Sequence, residues 1–154
     1  MKKILFIDTW THADRFISPL IESLNKEGYI CKLLHCDSIF LNSRYKKIKP
    51  IKNSNYESID LKSYNYSFHK AINQIKADKI VFISIHGIVQ RWANMVIGKH
   101  KIKTFFYMHG IRENNPEKIY NTIFYNIRRV VFYSKIYILL VKDFFRTFGF
   151  TFKN

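Results

Sequence analysis

Three histidines are the residues in this chain best suited to chemistry. His86 and His109 each precede a glycine, in Lys79–Gly87 (KIVFISIHG) and Lys101–Gly110 (KIKTFFYMHG). His12 lies in the polar stretch Thr9–Asp14 (TWTHAD). An imidazole titrates near neutral pH, so it can hydrogen-bond, move a proton or ligate a metal. On one reading His86 and His109 face a substrate cleft, and Gly87 and Gly110 let the backbone turn or approach a ligand closely. On the other, Gly supplies a positive φ and each His is an exposed loop residue. Three His at one edge also suggest a metal, but such ligands usually carry a supporting carboxylate shell. Hydrogen-bonding or acid/base roles, or plain loop positions, are the preferred readings, and no metal is assigned.

The elements around these residues set where they fall. Each His-Gly ends a short run of Ile, Val and Phe, and Ile88–His100 between them has a helical pattern. Strand, helix, strand is a βαβ unit with parallel strands. Continuous apolar runs suit parallel strands covered on both faces. Both His-Gly pairs then sit at strand carboxyl ends, where open α/β sheets place ligands.

The chain before this unit reads the same way. Lys3–Asp8 (KILFID) is a buried first strand, followed by the loop that holds His12 on the same sheet edge. A helix over Arg15–Lys26 gathers Phe16, Ile17, Leu20, Ile21 and Leu24 on one face. Pro19 is expected in its first turn, with Ser18 as cap, and Gly28 as a left-handed stop. Tyr29–His35 is a second strand, and Asp37–Glu57 a long connection with a short helix near Ser38–Arg44. Asp60–Lys76 reads as one helix, with His69 at the surface.

After Gly110, Asn115-Pro116-Glu117 is a helix start. Val130–Ser134 (VVFYS) then reads either as a fifth strand before a helix over Lys135–Thr147, or as part of one helix from Pro116 to Phe148. Periodicity does not decide between them. Ile119–Phe152 is dense in Phe, Tyr and Ile, with Arg128, Arg129, Lys135, Lys142 and Arg146 interleaved. That is a membrane-surface pattern, and equally that of a core helix with solvated cations.

Composition narrows the classes. At 154 residues and 47% hydrophobic, the chain is one domain with a real core. The net charge of +15 points to polyanions, either nucleic acid, an anionic membrane surface or phosphorylated substrates. A genome rich in Lys, Asn and Ile codons would leave the same excess. With five glycines and no G-x-G-x-x-G or P-loop, no phosphate-cradling loop is present, and no cofactor is assigned. Cys31 and Cys36 have no partner pair for a zinc site and are expected to be reduced thiols of a cytoplasmic protein. The opening lacks the apolar region of a signal peptide, and no apolar stretch reaches 18 residues.

The order of elements resembles the N-terminal, Rossmann-like domain of GT-B glycosyltransferases of the family 4-like kind. KILFID with a polar loop and a helix ending Leu24–Tyr29 (LNKEGY), TFFYMHG, and VVFYS before Gly149 are similar to that family's successive motifs. The resemblance implies an α/β fold, an open, mostly parallel Rossmann-like sheet of about five strands with helices on both faces. Residues 1–154 would then be a single acceptor-binding domain, cytoplasmic or peripheral at the inner face of the membrane. The family's nucleotide-sugar domain, with Glu paired as E-x7-E, has no counterpart here. The implied function is the acceptor-binding half of a transferase for surface polysaccharide, capsule or lipopolysaccharide, truncated or one subunit of a split enzyme. Its partners would be a lipid-linked or saccharide acceptor, a separate donor-binding domain or subunit, and an anionic membrane surface.

By residue matching, His109 stands at the acceptor-side cleft as hydrogen-bond donor or general base. His12, Thr11, His86, Gly87 and Gly110 would contact substrate. The family's first loop usually carries glycines and Thr9–Asp14 has none, so a phosphate contact there is not implied. The competing class is a non-enzymatic basic α/β protein for an anionic partner. Nucleic acid ranks low as that partner, since no zinc-finger, RRM or helix-turn-helix signature occurs. A standalone flavodoxin-like enzyme ranks lowest, because its loops would be richer in Gly, Ser and Thr.

Overall fold

A computed structural model describes residues 1–8, 14–40, 56–83, 87–107 and 123–149. Five strands, β1 (Lys3–Ile7), β2 (Ile30–His35), β3 (Glu57–Asp60), β4 (Lys79–Phe82) and β5 (Lys103–Phe106), form one sheet in the order β3-β2-β1-β4-β5. Every neighbouring pair is parallel. The helices are α1 (Asp14–Lys26), α2 (Asp37–Phe40), α3 (Phe68–Ile75), α4 (Gly87–His100) and α5 (Ile123–Thr147). This is the open, parallel, Rossmann-like α/β sheet expected from the sequence, and β4–α4–β5 is its βαβ unit.

Alternation along each strand separates two cores. Ile4, Phe6, Cys31 and Leu33 pack with Ile17 and Ile21 of α1 on one face. Leu5, Ile7, Leu34, Ile80 and Phe82 turn to the other, against α3, α4 and α5. Helices therefore cover both faces. Gly28 ends α1 at φ +83°, with the Tyr29 N–H donating to the Leu24 carbonyl at 3.0 Å, as a left-handed stop requires. Gly149, at φ +86°, closes α5 in the same conformation.

Some local expectations are corrected. Pro19 lies inside α1 rather than in its first turn, so Ser18 is no cap. The helix starts earlier, at Asp14, and helical backbone ahead of Pro19 brings Ile17 into the core, at the loss of one hydrogen bond. Asp60–Lys76 is not one helix. Glu57–Asp60 pairs with β2 as β3, Leu61–Tyr64 is a 3-10 turn capped by Asp60, and Asn65 and Tyr66 both sit at φ 53°. That left-handed pair ends the turn, and Ser67 caps α3 afresh by accepting from the Lys70 N–H.

The fifth strand is thus β3, and Val130–Ser134 lies within the single helix α5. Of the two readings of this stretch, the long helix holds, although residues 116–122 lie outside the described ones. The expected short helix near Ser38–Arg44 is α2, Asp37–Phe40, with 41–55 likewise outside. Finally, β5 is not covered on both faces. It ends the sheet with a neighbour on one side only, and Phe105, Phe106 and Tyr107 are 40%, 53% and 39% exposed.

A buried carboxylate ties α5 to the domain. Asp143 is fully buried and accepts from the Ser67 hydroxyl, from the Phe68 N–H at 2.7 Å and from the Trp92 indole Nε1 at 2.9 Å. It stands at the amino end of α3, where a negative charge meets the unpaired N–H groups of the first turn. Trp92 and Phe68 meet edge to face beside it, with ring centroids 4.9 Å apart. One side chain of α5 thereby joins α3, α4 and α5.

Candidate functional site

The strand order reverses between β1 and β4: β2 and β3 lie to one side of β1, β4 and β5 to the other. In open α/β sheets the crevice outside the carboxyl ends at such a reversal is the usual ligand position. Here β1 leads into Asp8, which is fully buried and donates its N–H to the Leu34 carbonyl at 3.0 Å. Beside it β4 leads into Ile83, whose N–H bonds to the Ile7 carbonyl at 3.0 Å, and Tyr107 extends β5 by donating to Phe82 at 2.8 Å. Gly87, one of the sequence-predicted contacts, is the first residue of α4. A helix amino terminus at a strand-end crevice suits an acceptor-rich ligand. His12, Thr11, His86, His109 and Gly110 lie outside the described residues.

Sequence reading overlooked a polar cluster along the same edge. His35 ends β2 in register with Asp60 at the end of β3. Its Nδ1 lies 3.4 Å from Asp37 Oδ1 and 3.5 Å from Asp60 Oδ2. Asp60 is committed to the backbone: one oxygen accepts from the Ser38 N–H at 2.9 Å, the other from the Lys62 N–H at 2.7 Å and from the Ser38 hydroxyl. It therefore caps α2 and the 3-10 turn together. Cys36 is enclosed at this edge, and burial, then the charges of Asp60, Asp37 and Asp8, push its thiol well above the ordinary range. Such a thiol is not a nucleophile. The cluster holds the β2 and β3 loops in place, with both Asp60 oxygens taken up by Ser38 and Lys62 donors. A signal was available, since KILFID and KLLHCD both end their apolar runs in Asp.

A second polar group joins α3 to α4. His69 Nδ1 and His100 Nε2 are 3.2 Å apart, and Asn73 Nδ2 stands 3.0 Å from His69 Nε2. The Asn73 amide and the two rings form one polar chain across the helices, in which each ring nitrogen can donate or accept according to its tautomer. His69 thus has a partner in the helix layer, where the sequence suggested only a surface position. Among the described residues no group of three or more His, Cys, Asp or Glu is placed to hold a metal ion. No family model, no curated protein and no solved structure matches the chain.

Proposed function

We propose that this domain binds a saccharide or lipid-linked acceptor at the carboxyl edge of its sheet, as the acceptor-side half of a sugar transferase. The observation that carries this reading is the all-parallel order β3-β2-β1-β4-β5, whose reversal between β1 and β4 sets Asp8 and the Gly87 terminus of α4 along one edge. The helix amino terminus attracts a phosphate or an electron-rich oxygen. His109 and His86 follow β5 and β4 in sequence and supply donors or a base at the reacting hydroxyl. The donor sugar nucleotide would come from a separate domain or subunit, and the work would be done at the inner face of a membrane.

The test is titration of the full chain with short-chain polyprenyl-phosphate saccharides and, separately, with nucleotide sugars. Acceptor binding is expected, weakened about tenfold or more in His109→Ala, a typical effect of losing a hydrogen bond to a charged group. Nucleotide-sugar binding without acceptor binding, or acceptor binding indifferent to His109→Ala, would defeat the reading.

A further inference from the structure

The described part of α5 carries three stripes. Ile136, Asp143 and Thr147 are buried against the domain. The next stripe holds Lys135, Lys142 and Arg146, with both lysines exposed. Facing outward are Val130, Val131, Tyr137, Ile138 and Val141, between 46% and 65% exposed, with exposed Ser134 among them, and just past the helix end Phe148, 50% exposed, with Lys99 Nζ 3.8 Å from its ring centroid. At 3.6 residues per turn Val130, Tyr137, Val141 and Phe148 recur at i, i+7, i+11 and i+18, and Val131 and Ile138 lie beside that line toward the cationic stripe. The only acid of α5 is Asp143, and it faces inward. The solvent side of this helix is thus an apolar line with a cationic flank and no carboxylate.

We infer that this outer face of α5 docks on an anionic lipid bilayer, lying flat in the headgroup region. An apolar line seats in the boundary between headgroups and acyl chains, while flanking Lys and Arg reach the lipid phosphates. Charge decides among the other occupants. A second copy would bring cationic flanks of two chains of net charge +15 together. A nucleic acid would meet Ile138, Val141 and Phe148 with its phosphates and gain nothing from them. The helix lies on the bilayer and does not cross it, since no helix among the described residues is long and apolar enough to span a membrane. The inference does not use the strand-end cleft, so either can fail without the other.

The experiment is co-sedimentation of the full chain with vesicles of phosphatidylcholine alone and with about one-third phosphatidylglycerol, at low and high salt. Binding is expected only to the anionic vesicles and to weaken with salt. Removing Lys135, Lys142 and Arg146 together by alanine is expected to weaken it on the order of 100-fold, about fivefold per charge. Ile138→Glu with Val141→Glu should abolish it while circular dichroism stays that of the parent. As a check independent of those variants, an environment-sensitive fluorophore at Tyr137→Cys should shift blue on anionic vesicles, and one at Glu22→Cys on α1 should not. Equal binding to neutral vesicles, binding retained by the double Glu variant, or a blue shift at position 22 rather than 137 would each overturn the inference.

Discussion

The indole Nε1 of Trp92 donates to Asp143 Oδ2 at 2.9 Å, and this bond joins the middle of α4 to the carboxyl-terminal part of α5. The same carboxylate holds the Ser67 hydroxyl and the Phe68 N–H. Asp143→Ala leaves three buried donors without it, and we expect a loss of about 3–5 kcal/mol in urea unfolding. Trp92→Phe removes one donor and keeps most of the ring, so its loss should be smaller, roughly 1–3 kcal/mol. Amide exchange at the start of α3 should accelerate in Asp143→Ala. A measured loss below about 1 kcal/mol in that variant would mean that α5 is held by its apolar contacts alone.

Much of this architecture was legible because the strands of a parallel sheet write themselves as apolar runs. KILFI, ICKLLH and KIVF all announce β1, β2 and β4, and Gly28 marks the end of α1. β3 was hidden: Glu57–Asp60 (ESID) is a four-residue edge strand of mixed polarity, lying between the expected connection that ends at Glu57 and the expected helix that begins at Asp60. VVFYS reads either way, since β-branched and aromatic residues favour strands while tertiary contacts of Ile136 and Asp143 hold the stretch in α5. The candidate site was legible only as a location. Its supporting groups, His35, Asp60 and Cys36, converge from separate strands, and spacing along one chain does not reveal which ends meet.

The His69–His100 contact gives the fold a dependence on pH. Burial, with the nearby His69, lowers the His100 pKa below the ordinary 6.5, against a partial offset from Asp143, and Lys99 adds to the lowering. A folded-state pKa below the unfolded one means that the unfolded chain binds more protons in acid. The contribution to stability is therefore complete above the unfolded value and is lost as pH falls from there through the folded pKa. His100→Gln keeps both a donor and an acceptor for His69 Nδ1 without titrating. Urea midpoints of parent and variant, compared at about pH 7.5 and about pH 5, should show the parent losing more on acidification. Parallel losses in the two proteins would place the acid sensitivity elsewhere.

Cys31 and Cys36 stand on opposite faces of the sheet, five residues apart along and just past β2, in separate cores. That separation keeps them from pairing, and both are free and buried. Burial raises the Cys31 thiol, and burial with the surrounding Asp60, Asp37 and Asp8 raises Cys36 further. Only the thiolate reacts, so the folded protein should resist a disulfide reagent at about pH 8, both cysteines reacting on the order of 100-fold slower than in denaturant. Asp60→Asn removes the carboxylate charge nearest in effect on Cys36 and loosens the caps of α2 and the 3-10 turn. Its reactivity at Cys36 should rise while Cys31, on the other face, stays protected. Equal acceleration at both thiols would show that the variant opens the whole sheet, and rapid labelling of the parent would contradict the enclosed placement of Cys36.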